Sequence, residues 1–233
     1  GDPACAACAT GALPGKPEEV LAQRCGAVLG AYTILKDDHF PGCQNKKLQP
    51  PVDGAPNFRQ VGGLPVYGVA IPTRAGLRNV LGMLGATARP VLWHNMREEP
   101  VLYVNGQPYV LREVERPFSN LEYTGIDRER VEGMEARLKE DVLAELARYR
   151  GCLMLSKESD DGRVLDEWEA VLPEDVATPK EVYDGLVAQG FRVDYLRVPV
   201  TDEKAPKAGD CDIIAARCSG AWGGGAAEAG EDG

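Results

Sequence analysis

Residues 178–207, TPKEVYDGLVAQGFRVDYLRVPVTDEKAPK, place a helix, a strand and a polar loop in immediate succession. Thr178 is suited to cap the helix, with Pro179 at its first position and Glu181 at its third. Gly190 is suited to end it. Apolar residues then alternate from 191 to 200 with one slip, which predicts a strand. A helix that leads directly into a strand is typical of an α/β fold.

The rest of the chain repeats this alternation of helices with short apolar strands. Apolar residues at helical spacing predict a long helix over about 127–150 and a shorter one over 73–85. Strands are predicted at 66–71, 91–94 and 152–156, and a hairpin joins 101–104 to 109–111 through Asn105-Gly106. We therefore expect a mostly parallel central sheet flanked by helices, with the hairpin as an addition to it.

Composition divides the chain into three parts. Residues 1–17 are rich in alanine, glycine and proline, which predicts a disordered leader. Residues 18–217 have the pattern of one folded domain. After Cys218 and Ser219, residues 220–233 consist of glycine, alanine and acidic residues around one tryptophan, which predicts an unstructured tail over 218–233.

Charge and composition exclude several classes of function. The formal net charge of −10 disfavours nucleic acid as a partner, and no apolar run is long enough to span a membrane. No signal peptide is recognisable, so we expect a cytoplasmic protein. Two histidines and seven irregularly spaced cysteines predict no metal site, no cofactor and mostly reduced, structural thiols.

Asp202 is the strongest candidate for a catalytic group. It follows a strand directly, and Arg197, Lys204 and Lys207 are near it in the sequence. A carboxyl group at a strand end in a basic pocket is suited to protonate the leaving oxygen of a phosphoester, with Lys204 contacting the substrate. In the alternative interpretation, Asp202 caps a turn and pairs with Lys204 on the surface.

Two arginines are candidates for binding phosphate. Arg97 follows the predicted strand at 91–94 and is suited to bidentate contact with phosphate oxygens, or else to an ion-pair network with Glu98 or Glu99. Arg59 precedes a glycine-rich turn and either lines an anionic pocket or fastens the N-terminal segment.

Seven runs of the sequence are distinctive: residues 33–45 (TILKDDHFPGCQN), 54–59 (GAPNFR), 65–73 (PVYGVAIPT), 93–100 (WHNMREEP), 137–141 (RLKED), 178–183 (TPKEVY) and 197–206 (RVPVTDEKAP). These runs resemble the paladin family, whose modules are similar to protein-tyrosine-phosphatase-like inositol phosphatases (phytases). The resemblance covers about residues 25–217.

The resemblance implies a cysteine-phosphatase-like fold with Asp202 as general acid and with Arg97 and Arg59 around the substrate phosphates. The nucleophile of the family lies on a Cys-x5-Arg loop after a short strand, and this feature has no match here. Cys218 is not suited to the role because the sixth position after it is Gly224. We therefore expect a fold that is incomplete at its C-terminus and a chain that is inactive as given. The alternative is a non-catalytic pseudophosphatase that binds phosphorylated partners or acts as a scaffold.

Overall fold

The computed structural model describes residues 15–38, 52–202 and 204–223, with side chains described up to residue 220. Five helices are defined in these ranges: α1 Pro17–Gln23, α2 Arg74–Met83, α3 Arg128–Arg148, α4 Pro179–Ala188 and α5 Ala208–Gly223. The strands are β1 Thr33–Asp37, β2 Arg59–Gln60, β3 Tyr67–Gly68, β4 Val91–Arg97, β5 Val101–Val104, β6 Gln107–Glu113, β7 Cys152–Glu158, β8 Val164–Ala170, β9 Val176–Ala177 and β10 Val193–Val200.

The central sheet has six strands in the order β8-β7-β1-β6-β5-β9. Its strands pair antiparallel except for β1 with β7. The α/β fold class, with a central sheet flanked by helices, is confirmed, but the expectation of a mostly parallel sheet is wrong. The reason is the hairpins: Asn105 and Gly106 both adopt positive φ between β5 and β6, and a tight turn of this kind makes its two strands antiparallel neighbours.

Helices cover both faces of the central sheet. Because side chains alternate along a strand, Leu102 and Val104 of β5 pack with Leu138 of α3 on one face. Val101 and Tyr103 of the same strand pack with α2 and α4 on the other. The core therefore consists of two apolar layers on opposite sides of one sheet.

A separate two-stranded sheet precedes the segments that carry Arg97 and Asp202. β4 and β10 pair in parallel, with Val193 opposite Val91 and Val200 opposite Arg97. The register shifts between Arg197 and Val200. Since the strands are parallel, the segments that follow them leave from the same edge.

The helix signals in the sequence are confirmed at their N-termini. Thr178 caps α4 through a complete capping box: its Oγ1 accepts from Glu181 N at 3.3 Å, and Glu181 Oε2 accepts from Thr178 N at 2.8 Å. Asp127 caps α3 by accepting from Arg130 N at 2.8 Å.

The strands were predicted less completely than the helices. The strands predicted at 91–94 and 152–156 are present and extend to Arg97 and Glu158, whereas the one at 66–71 is reduced to two residues. β1 and β8 were missed. Charged residues interrupt the apolar pattern of both strands. In β1, the buried Lys36 pairs with Glu158, whereas Asp166 and Glu167 of β8 are exposed.

Helix α5 runs across the expected boundary at 217/218 and ends at Gly223. Ala215 and Ala216 within it are strong helix formers. The predicted leader lies largely outside the described residues, as does the predicted tail beyond Gly223. Among the described residues, no helix has the length and apolarity needed to cross a bilayer.

The cysteines that the structure describes are not all reduced. Cys25, Cys211 and Cys218 are free thiols, whereas Cys152 is disulfide-bonded. Among the described cysteines, Cys152 is thus the exception to the expectation of mostly reduced thiols.

Candidate functional site

The parallel pairing of β4 and β10 brings two polar segments to one edge. Arg97 ends β4 and lies opposite Val200, the last residue of β10. Asp202 is two residues beyond Val200 in the sequence. Asp202 is exposed, and its charge acts on the guanidinium of Arg97. Ligands of α/β proteins bind where strands end and loops begin, and the two leading candidates from the sequence meet at such a place.

Arg97 is held by carboxylates on two sides. Its Nη1 donates to Asp38 Oδ2 at 3.0 Å, and its Nε and Nη2 donate to Glu99 Oε2 at 3.0 and 2.5 Å. Burial alone would lower the pKa of Arg97, but Asp38 and Glu99 outweigh it, so the pKa is raised. Burial raises the pKa of Asp38, and Arg97 only partly offsets this. The ion-pair network with Glu99 is thus present, and it fixes the direction of the guanidinium.

Glu99 extends the network to the central sheet. Its Oε1 accepts from Arg112 Nη1 at 2.6 Å and from Leu121 N at 3.1 Å. Glu99 and Arg112 are both nearly fully buried. Burial lowers the pKa of Arg112, with Glu99 opposing the shift. The carboxylate therefore bridges the end of β4, strand β6 and the segment after β6.

Asn120 connects this buried network to Asp202. Arg112 Nη2 donates to Asn120 Oδ1 at 2.7 Å, and Asn120 Nδ2 donates to Asp202 Oδ2 at 3.3 Å. The contacts run without a break from Asp38 through Arg97, Glu99, Arg112 and Asn120 to Asp202. We call these six residues the polar chain. It is buried at Asp38 and exposed at Asp202.

Arg197 does not contribute to a basic pocket around Asp202, which corrects one expectation. It is 1% exposed and forms an ion pair with Glu135 of α3, and its Nη2 donates to Glu99 O at 3.0 Å. Burial raises the pKa of Glu135 to about 7, although Arg197 opposes the shift. The cause is strand geometry, because position 197 of β10 faces α3.

The two lysines after Asp202 contact a neighbouring segment of the protein. Lys204 Nζ donates to Glu122 Oε2 at 3.2 Å and to Thr124 Oγ1 at 3.0 Å. Lys207 Nζ donates to Gly125 O at 2.7 Å. All these contacts are exposed, and none of them is the Asp202–Lys204 pair of the alternative interpretation.

Arg59 lies on the small β2–β3 hairpin. Its Nη1 donates to Asn57 O at 2.8 Å, and its guanidinium lies over Gly68, where a Cβ atom would be 2.9 Å from Cζ of Arg59. Arg59 is exposed. It therefore has a local structural contact and still faces solvent.

The family model of protein-tyrosine-phosphatase-like phytases, described as inositol hexakisphosphate, matches residues 94–223, which is more than half of the chain. The chain belongs to this family. The match includes the end of β4 from His94 and all of β10 and α5, and it extends past Arg217, where the resemblance was expected to end.

Curated relatives identify the type of module. Paladin of Gallus gallus is 30% identical over 188 residues, which cover 79% of this chain and 20% of that protein. Paladin of Xenopus tropicalis is 27% identical over the same share of each chain. The chain is thus a paladin-like module and spans about a fifth of the length of these relatives.

Solved structures with a similar fold include a PTP-like phytase from Bdellovibrio bacteriovorus. It has 17% identity and a TM-score of 0.48, over 80% of this chain and 56% of that one. The tandemly repeated protein tyrosine phosphatase like phytase from Mitsuokella multacida has 19% identity and a TM-score of 0.47, over 66% of this chain and 23% of that one.

The paladin-like module does contain one Cys-x5-Arg spacing, which the sequence analysis overlooked. Cys211 and Arg217 are six residues apart, but both lie within helix α5. Six helical residues span about 9 Å and turn the two side chains about 120° apart, so they do not converge on one phosphate. Arg217 instead pairs with Asp194 Oδ1 at 2.8 Å, and the thiol of Cys211 is free.

Sequence reasoning missed Arg112 and Asn120, the two residues that connect Glu99 to Asp202. Arg112 directly follows the apolar residues Val110 and Leu111 of a strand. A charged residue in such a position indicates that its side chain is buried with a charged partner. Asn120 lies in an irregular segment and gives no comparable signal.

Proposed function

We propose that this paladin-like module binds phosphomonoester groups, of the phosphotyrosine or inositol phosphate class, at the shared edge of β4 and β10. The observation that carries the proposal is the polar chain, which holds Arg97 and Asp202 at adjoining strand ends. A guanidinium beside a carboxyl group is the pairing that binds phosphate and protonates a leaving oxygen.

Each residue has a separate role in this proposal. Asp202 is the general acid, and its exposed position lets a substrate oxygen reach it. Arg97 provides the fixed positive charge, since its direction is set by Asp38 and Glu99. Arg59, exposed on the β2–β3 hairpin, provides a second guanidinium that is able to turn toward an anion.

Hydrolysis by this family implies a cysteine nucleophile, and the arrangement at Cys211 does not supply one. The thiol lies on a helix, and its spaced arginine is engaged with Asp194. We therefore propose that the chain as given binds phosphate without turning it over.

A second candidate function follows from the engagement of Arg97 itself. Two carboxylates already occupy its guanidinium, which suits a structural role as well as a substrate contact. In this alternative, the module is a pseudophosphatase that holds phosphorylated partners or serves as a scaffold. In both cases we propose a phosphorylated partner in the cytoplasm. Nucleic acid is disfavoured as a partner by the net charge of −10.

Calorimetric titration with myo-inositol hexakisphosphate, a phosphotyrosine peptide and inorganic phosphate tests binding. We expect saturable binding of at least one probe, weakened about tenfold by Arg59→Gln, since loss of a charged contact costs about 1.4 kcal/mol. Arg163→Gln is the matched control, because Arg163 is exposed on the β7–β8 turn, far along the chain from both strand ends. Absence of binding to all three probes, or equal affinity in both variants, would contradict the proposal.

Turnover is tested with p-nitrophenyl phosphate. We expect the same background rate from the unchanged chain, from Asp202→Asn and from Cys211→Ser. A rate that falls in Cys211→Ser would show that this thiol is a nucleophile after all.

A further inference from the structure

We propose that Asn120 is a positioning residue for Asp202, and that residues 120–125 form a clamp that holds the loop of residues 201–207 in place. The inference rests on the proposed function where it treats Asp202 as a general acid. The contact between the two segments does not depend on that role. We call residues 120–125 the clamp and residues 201–207 the acid loop.

The first step concerns the direction of the Asn120 amide. A guanidinium donates hydrogen bonds and cannot accept them, so the atom that faces Arg112 Nη2 at 2.7 Å must be the carbonyl oxygen Oδ1. The amide nitrogen of Asn120 therefore faces the other way, toward Asp202 Oδ2 at 3.3 Å. Arg112 is itself fixed by the buried Glu99 at 2.6 Å. A buried ion pair thus sets the orientation of an exposed donor.

The second step concerns the remaining contacts between the clamp and the acid loop. Lys204 donates to Glu122 and Thr124, and Lys207 donates to the carbonyl oxygen of Gly125. The amide nitrogen of Gly125 donates to Thr201 Oγ1 at 3.3 Å. The contacts begin at Thr201 and continue to Lys207 just before α5, so the described residues of the acid loop are held near both of its ends.

The third step concerns what such a clamp does. An exposed loop is free to sample many conformations, and a general acid acts only from a narrow range of positions. Several weak contacts that share one segment restrict the loop together, although each exposed pair contributes little alone. In this assignment Lys204 holds the acid loop to Glu122 and Thr124, which replaces its expected role as a substrate contact.

Hydrogen exchange at single amides, followed by NMR on the whole chain, tests the clamp. The amide of Gly125 reports directly, because its acceptor is Thr201 on the other segment. Asn120→Asp keeps an oxygen for Arg112 but replaces the donor to Asp202 with a second carboxylate oxygen. We expect Gly125 to exchange roughly three- to tenfold faster in this variant, as for the loss of one hydrogen bond. Asn120→Ala should behave similarly.

The control and the internal reference separate positioning from general loss of structure. Asn79→Asp alters another exposed asparagine, whose amide donates to Asp53 O at 3.1 Å, and should leave Gly125 unchanged. Core amides such as those of Val110 and Leu138 should exchange at the same rate in all variants. Unchanged exchange at Gly125 in Asn120→Asp, or an equal acceleration of the core amides, would overturn the proposal.

A second readout approaches the same contact from Asp202. Asp202→Asn should shift the side-chain amide resonance of Asn120 while the side-chain resonance of Asn79 stays in place. Neither measurement needs a ligand, so the proposal of the clamp and the proposal of the phosphate site can be refuted independently. Loss of phosphate binding with an intact Gly125 signal would refute the proposed function and leave the clamp standing.

Discussion

Two charged positions, one on β10 and one just after it, differ in almost every respect. Arg197 is buried against Glu135 of α3, whereas Asp202, five residues later, is exposed and contacts Asn120. One position joins a strand to a helix, and the other joins two loops. The comparison indicates that the buried position stabilises the fold and the exposed position orders a site, so changes at the two should have separable effects.

The largest effect is expected for Arg197→Met. At pH 8, Glu135 would be left buried without its partner, and breaking such a pair costs about 3–5 kcal/mol of unfolding free energy. Urea denaturation measures this value. The surface pair of Arg163 with Asp161 provides the control, since Arg163→Met should change stability much less. If Arg197→Met lowers the unfolding free energy by less than about 1 kcal/mol, the buried position does not stabilise the fold more than the exposed one, and the comparison is wrong.

The next effect is a pH dependence that originates at Glu135. Burial raises the pKa of Glu135 to about 7 from its usual 4.5. Between these values the folded chain holds a proton that the unfolded chain has released, so this group favours the fold at low pH. That contribution is lost as the pH rises through 7 and amounts to about 1–3 kcal/mol.

Glu135→Gln isolates this dependence, because glutamine mimics the protonated acid. The unfolding free energy of the unchanged chain minus that of the variant should fall between pH 4.5 and pH 7.5. A difference that stays constant or rises over this range would show that the pKa of Glu135 is not raised.

A smaller effect is expected at the helix that precedes β10. Thr178→Ala removes the Oγ1 that accepts from Glu181 N and should cost about 1 kcal/mol of unfolding free energy. Thr178→Ser should recover most of it, since serine keeps the acceptor. If alanine and serine behave alike, the capping box does not stabilise α4.

The smallest effect is expected at the exposed position. Lys204→Met removes contacts to Glu122 and Thr124 but should change the unfolding free energy by less than about 0.5 kcal/mol. The same variant should still accelerate amide exchange at Gly125. Lys180→Met, which breaks the exposed pair with Asp184, is the matched control for both measurements. A large loss of stability in Lys204→Met alone would place the clamp within the folding core.

Sequence reasoning predicted the local features and missed the long-range ones. The cap at Thr178 depends on Glu181, three positions away, so it was visible in the sequence. The direction of strand pairing depends on hairpins and on partners distant in sequence, and it was predicted wrongly. The placement of Asp202 after a strand was predictable, but its contact with Asn120 joins residues 82 positions apart.

The helix at Cys211 shows the limit of spacing as a signal. Cys211 and Arg217 have the separation of a phosphatase loop, yet the intervening residues are isoleucine and alanine rather than glycine. Besides Asp212, these residues include two alanines, which favour a helix, and a helix separates the two side chains. Spacing carries chemical meaning only with the backbone conformation that brings the residues together.

NMR mapping of phosphate binding tests the central claim most directly. Inorganic phosphate would be titrated into the labelled chain while the backbone amides are followed. The account predicts saturable shifts at Arg97, Glu99 and Asp202, at the shared edge of β4 and β10, with no shifts around Cys211. Shifts confined to other surfaces, or none at millimolar phosphate, would contradict it.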